Sequence, residues 1–306
     1  MRIGSRGSQL ALWQANHIAD RLRALGHEVS IEIIRTTGDQ RQQASFAQVS
    51  TELGGKGIFT REIEEALREG RIDLAVHSLK DLPTELDPAF TLAAITERVD
   101  PRDALLSARF NSFAELPHGA TIGTSSERRR AQLRALRPDL QFTEFRGNVD
   151  TRIRKMVEGQ VDAILLASAG LERLGLTEYR RECFAPQILC PAAGQGALAI
   201  ETRADDAATQ TALASLDHAA TRYAVTAERA TLAALGGGCQ VPIGVYCAPV
   251  AENAYAIEGV VASAVAPPAL PTVIRVAFEH VQGLLPEALG QKLAEELLRQ
   301  GAEPFL

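Results

Sequence analysis

Lysine is scarce in this chain of 306 residues: Lys56, Lys80, Lys155 and Lys292 are the only ones, so 28 of the 32 basic residues are arginines. Arginine's planar fork grips carboxylates and phosphates at two points, although a GC-rich genome also enriches it. Cysteine is equally sparse. Cys183, Cys190, Cys239 and Cys247 show no CxxC spacing and no histidine partner at finger distance, which argues against a structural zinc site and for reduced thiols. No stretch approaches the ~20 apolar residues that cross a bilayer, and Met1 to Arg6 opens no secretory h-region, so a cytoplasmic protein with no membrane partner is expected. The net charge of −6 argues against nucleic acid as a partner. There is no GxxxxGK[ST], no GxGxxG and no solenoid repeat.

With 46% apolar and 23% charged residues, the chain has ample core-forming material, and its length suggests two domains or three small ones. Residues 2–5 read as a strand and 8–25 as a helix stopped by Gly26. A strand follows around Val29 to Ile33, then a helix from Arg61 to Glu69 and a buried strand from Asp73 to His77. This βαβαβ pattern predicts a parallel sheet. The rhythm restarts after Asp103, with strands at 120–123, 140–145 and 163–167 and helices at 127–136 and 149–158. The turn Cys190 to Gly196 feeds a strand at 197–201 able to return to the first sheet, which would make a two-stranded hinge. From Ala219 onward, helices at 221–235 and 286–299 bracket three strands, the pattern of a small α+β domain. The expected boundaries are 1–96 with 194–216, 100–190 and 219–306.

Three places invite chemistry. His77-Ser-Leu-Lys80-Asp81-Leu-Pro83 ends a buried strand in polar residues, and in open sheets ligands gather beyond the carboxyl ends of strands. Lys80 and Asp81 either solvate that end or set a cation and a carboxylate at a cleft mouth. Gly123-Thr124-Ser125-Ser126-Glu127-Arg128-Arg129-Arg130 places three arginines in the first turn of a helix, against its macrodipole. Stability does not explain them; an anion bound there would, and a solvated charge run is the alternative. Arg6 and Ser8 follow the first strand, Arg146 and Arg152 a later one, and Arg173 lies in the segment 169–175. Cys239 stands in a glycine run before Gln240-Val241-Pro242, an exposed loop position that weakens a packing role. The other cysteines, with His77 and His218, read as structural.

Taken together, the strings 77–83, 123–129, 146–152 (Arg-Gly-Asn-Val-Asp-Thr-Arg), 191–196 (Pro-Ala-Ala-Gly-Gln-Gly) and 237–242 resemble the porphobilinogen deaminase (hydroxymethylbilane synthase) family, in order and spacing, from about Ile3 to Ala302. The resemblance implies a fold of two α/β domains similar to periplasmic binding proteins, joined by a hinge, plus a small α+β C-terminal domain. It also implies an enzyme of tetrapyrrole biosynthesis that joins four molecules of porphobilinogen head to tail and releases ammonia at each step; separately, the net charge of −6 with no heptad or obvious apolar patch makes a monomer the expectation. A dipyrromethane cofactor would be tethered to Cys239 through a thioether. Asp81 would steady the electron-poor azafulvenium cation. A chain growing to six rings carries twelve side-chain carboxylates, for which Lys80, Thr124, Ser126, Arg128, Arg129 and Arg146 would hold the cofactor and Arg6, Ser8, Arg152 and Arg173 the substrate. Lys56, in Gly54-Gly-Lys-Gly57, would sit on a loop over the cleft. No metal is expected. Two readings compete with this one. A solute-binding module would have no use for a third domain carrying an exposed cysteine, and a thiol hydrolase using Cys239 would need a histidine base that neither His218 nor His280 suggests.

Overall fold

The computed structural model describes residues 1–36, 60–237, 241–264 and 269–306. In chain order the described elements begin with β1 (Arg2–Ser5), α1 (Gln9–Ala24), β2 (Ser30–Ile33), α2 (Arg61–Arg68), β3 (Leu74–Ser78) and β4 (Phe90–Ile95). The next stretch holds β5 (Asp103–Leu106), β6 (Thr121–Gly123), α3 (Glu127–Leu136), β7 (Gln141–Thr143), α4 (Val149–Val157), β8 (Ala163–Ala167), α5 (Ser168–Leu174) and β9 (Arg180–Cys183). Then come β10 (Leu198–Arg203), α6 (Ala207–Leu213), α7 (Ala219–Ala234), β11 (Ile243–Ala251), β12 (Ala254–Ala262), β13 (Val273–Gln282) and α8 (Pro286–Arg299). Two compact units result: Met1–Val99 with Ala197–Ala219, and Asp100–Gly196 with Ala220–Leu306.

The first unit is built on a five-stranded sheet in the order β2-β1-β3-β10-β4. β1 pairs in parallel with β2 and β3, as the βαβαβ pattern requires, whereas β10 runs antiparallel to both β3 and β4. The sheet is therefore mixed, and the segment after Gly196 does return to it. The apolar stripe of α1 (Ala15, Ile18, Ala19, Leu22) packs on Ile3, Leu74 and Val76 of one sheet face. On the other face Ile63, Ala66 and Leu67 of α2 cover Ala75 and Phe90. Both helices end where glycine takes up positive φ, at Gly26 (88°) and Gly70 (66°).

The second unit holds two sheets. One repeats the topology of the first unit: order β7-β6-β8-β5-β9, with β6 parallel to β7 and β8, and β5 antiparallel to β8 and β9. The other is an antiparallel meander, β11-β12-β13, covered by α7 and α8 through Ala224, Ala227, Leu289, Leu293 and Leu297. α7 and α8 meet closely at Gly290, where a Cβ would lie 2.3 Å from the Ala227 carbonyl oxygen. In each α/β sheet the parallel strands end at one side, and the candidate side chains named from the sequence follow those ends.

Candidate active site

In the first unit the edge is formed by the ends of β1 and β3. After β3 the chain makes one tight helical turn, Leu79–Asp81. Leu79 is fully buried and donates its N–H to the Ala197 carbonyl (3.1 Å), and Leu82, also buried, donates to Leu79 (3.1 Å). With both leucines anchored inward, Asp81 between them is left exposed and Lys80 half-buried. Asp81 lines a cavity together with Arg6, Ser8, Gln14, Thr60, His77 and Ser78. Ser8 caps α1, its Oγ accepting from the Ala11 N–H at 3.3 Å, and Gln14 Nε2 donates to Ser78 Oγ at 2.8 Å. Three residues singled out from the sequence therefore line one cavity, Arg6 and Ser8 from the end of β1 and Asp81 from beyond β3.

In the second unit β6 runs into Thr124-Ser125-Ser126. Thr124 is buried, and its hydroxyl accepts the Ser126 N–H at 3.2 Å; Ser126 in turn caps α3 by accepting the Arg129 N–H at 3.4 Å. The arginines in the first turn are not a solvated run. Arg128 and Arg129 are buried, while Arg130 is half-buried and pairs with Glu127 at 2.9 Å. Arg128 Nη1 donates to Asp103 Oδ2 (2.7 Å) and to the Cys190 carbonyl (2.6 Å). Arg129 Nη2 donates to Asp103 Oδ1 (2.5 Å) and Nη1 to the Leu165 carbonyl (2.9 Å). Asp103 also accepts from Gln195 Nε2 at 2.9 Å. The protein thus supplies from within part of the anion that the sequence pattern demanded.

Burial alone would push the Asp103 carboxyl up, but the charges of Arg128 and Arg129 outweigh it and hold the group well below the usual carboxylate range. The balance remains uneven: two guanidinium groups face one carboxylate, and Arg129 Nε is buried without a hydrogen-bond partner. A second carboxylate arriving here would meet one uncompensated positive charge.

Further strand ends of this unit carry the other cationic positions. Arg146 Nε donates to Glu144 at 2.6 Å, and Arg152 Nε to the Gly147 carbonyl at 2.6 Å. Arg173 donates to the Gly196 carbonyl at 2.7 Å, and burial pushes its guanidinium down to about 10, still charged at neutral pH. Lys56 and Cys239 lie outside the described residues.

Residues that the sequence reading passed over hold this arrangement together. Gln132 accepts the Cys190 N–H at 2.8 Å and donates to the Cys190 carbonyl at 3.2 Å; Arg275, paired to Glu258 at 3.0 Å, reaches Gln132 at 3.3 Å. Fully buried Glu228 accepts the N–H groups of Gly194 (2.7 Å) and Cys247 (2.8 Å). The turn 190–196 is thereby pinned from two sides, with Gln195 aimed at Asp103. Gln195, Gly194 and Cys190 belong to the turn noted in the sequence, whereas Gln132, Glu228, Glu258 and Arg275 carry no motif signal there. Burial pushes the Cys190 thiol up, so it is a packed thiol rather than a nucleophile. Among the described residues no three His, Cys, Asp or Glu side chains gather as a metal-binding set, and no helix is long and apolar enough to cross a membrane.

The two α/β sheets share one strand arrangement, and basic and hydroxyl side chains follow the ends of their parallel strands. Residues 1–211 match the family description "Porphobilinogen deaminase, dipyromethane cofactor binding domain", and residues 222–299 match "Porphobilinogen deaminase, C-terminal domain". The porphobilinogen deaminase of Nitratidesulfovibrio vulgaris (strain Miyazaki F) is 48% identical over 309 residues, covering 99% of this chain and 95% of the relative. That of Roseiflexus castenholzii is 48% identical over 308 residues, covering 100% and 98%. Among solved structures, a methionine-binding protein superposes with a TM-score of 0.45 at 13% identity, covering 71% of this chain and 89% of its own. A nutrient-binding protein of Burkholderia cenocepacia bound to methionine gives 0.42 at 13%, covering 70% and 89%. The chain belongs to the porphobilinogen deaminase family, transferases of tetrapyrrole biosynthesis with a dipyrromethane cofactor.

Proposed function

We propose that this chain joins four porphobilinogen molecules head to tail into hydroxymethylbilane, with Asp81 as the catalytic carboxylate and Cys239 as the thioether anchor of the dipyrromethane. The observation that carries the reading is Asp81 itself, exposed at the end of a buried strand and sharing a cavity with Arg6 and Ser8. A carboxylate in that position stabilises the cation left when ammonia departs, and it accepts hydrogen bonds from pyrrole N–H groups.

The excess positive charge of Arg128 and Arg129 over Asp103, with the unpartnered Arg129 Nε, suits a ligand bearing carboxylates, and so fits the cofactor. Arg128, Arg129, Thr124, Ser126, Arg146 and Lys80 would hold it; when bound, it supplies a covalent primer with a nucleophilic pyrrole end. Arg6, Ser8, Arg152, Arg173 and Lys56 would take the acetate and propionate arms of incoming substrate. The division into 1–96 with 194–216, 100–190 and 219–306 belongs to this reading, as do a monomeric state and cytoplasmic work without nucleic-acid or membrane partners.

The test is stoichiometric: four porphobilinogen consumed and four ammonia released for each hydroxymethylbilane. Consumption without ammonia release, or binding without consumption, refutes the reading. Arg146→Leu is expected to lower turnover roughly 10- to 100-fold, the range for one lost charge-assisted contact. Partly elongated chains should then accumulate on the protein as a mass ladder in denaturing mass spectrometry. Wild-type turnover with full cofactor loading and no ladder would remove Arg146 from cofactor binding.

A further inference from the structure

His77 is the fourth residue of β3, buried, and it lines the same cavity as Asp81. Its Nε2 lies 2.9 Å from Oε2 of Glu201, which reaches it from the neighbouring antiparallel strand β10. Glu201 is fully buried, and its other oxygen, Oε1, has no hydrogen-bond partner. The surrounding layer is apolar: Ile63, Ala66, Leu67, Ile72, Ala75 and Phe90 pack on this face of the sheet. A third ionisable group borders the pair, Glu64 of α2. Burial pushes its carboxyl up, the Thr60 hydroxyl draws it back, and Glu201 adds to the rise.

Such a pair is costly to bury where apolar side chains of the same size would pack without penalty, and the half-satisfied acid raises the cost further. Its position beside the cavity gives it a use. In each condensation the carbon–nitrogen bond of the aminomethyl group breaks, and ammonia leaves with the electron pair. The free α-carbon of the chain-end pyrrole donates a pair to the resulting methylene and forms the new carbon–carbon bond. Aromaticity returns only when that α-carbon loses its hydrogen as a proton, the C–H pair going back into the ring. Asp81 serves the first event by remaining negative, so the last event calls for a second group.

We propose that His77, oriented by Glu201, is the base that takes this ring proton; the inference rests on the function proposed above and adds a residue to it. With Nε2–H donated to Glu201, Nδ1 carries the lone pair, and the carboxylate stabilises the imidazolium once the proton arrives, the base-and-orienter relation of other His–carboxylate pairs. His77 is then a catalytic residue and Glu201 a positioning residue.

The test compares porphobilinogen with porphobilinogen deuterated at its free α-carbon, using cofactor-loaded wild type, His77→Gln and Glu201→Gln. Their fold is checked by thermal melting and their cofactor by intact mass. His77→Gln is expected to keep its cofactor and KM, to lose about 10²-fold in kcat, the scale of one general base, and to show a primary isotope effect larger than that of wild type. Glu201→Gln, which keeps the size of the buried side chain, is expected to lose less rate and to show the same rise in isotope effect. It decides the matter alone if His77→Gln does not fold. A folded variant that turns over at the wild-type rate, or is slowed with an unchanged isotope effect, overturns the inference while leaving the deaminase reading intact. A wild type that consumes no porphobilinogen overturns both.

Discussion

Asp81→Asn is expected to leave the fold and melting temperature unchanged and to reduce porphobilinogen turnover roughly 10³-fold, the upper range for removing one preorganised electrostatic partner of a developing charge. Asp81 is exposed, and the turn that carries it is fixed by Leu79 and Leu82, so the amide costs little stability. An uncharged amide still accepts hydrogen bonds, but it does not balance the cation formed as ammonia leaves. KM is therefore expected to move less than kcat. Steady-state ammonia release measures both, and a variant within tenfold of wild type would take the charge-stabilising role away from Asp81.

The second large effect is structural. Asp103→Asn leaves Arg128 and Arg129 buried around a neutral side chain, and stripping one partner from a buried ion pair costs about 3–5 kcal/mol. Measured against a total stability of roughly 5–15 kcal/mol, this is enough to loosen the second unit at neutral pH. The pH dependence follows from the direction of the shift. The folded carboxyl ionises well below its unfolded value, so its contribution is complete above the unfolded value of about 4 and drains away as pH falls from there toward the folded value. Urea unfolding of wild type at descending pH should show this loss, and Asp103→Asn should start low and lack that component. Equal midpoints for the two proteins at pH 7 would show that the arginines do not depend on Asp103.

Asp81 was legible in the sequence because its signal is local: a run of buried strand residues breaks into Ser-Leu-Lys-Asp before Pro83 within a few positions. α3 was read to its boundaries for the same reason, since Ser126 caps it and an unbroken run of good helix formers follows. Asp103 was not legible. It sits in Asp100-Pro-Arg-Asp, where the second α/β pattern begins, and its importance arises from Arg128, Arg129 and Gln195, which lie 25 to 92 positions away. The first turn of α3 pointed to an anion but could not say that the chain itself would provide one. The short strands β4 and β9 went unread, and β9, Arg-Arg-Glu-Cys at a sheet edge, has no apolar alternation to find. The antiparallel entry of β10 was likewise invisible, because strand direction depends on where the chain comes from rather than on the strand's own residues. The same distance hid the pairing of His77 with Glu201, 124 positions apart, and left His77 looking like an ordinary core histidine.

Whether this chain elongates a primer bound covalently through Cys239 is decided by intact mass spectrometry of the denatured protein. Wild type expressed with ample porphobilinogen should carry an excess equal to one dipyrromethane, and Cys239→Ser should carry none. An unmodified wild type, or an excess that persists in Cys239→Ser, would contradict it.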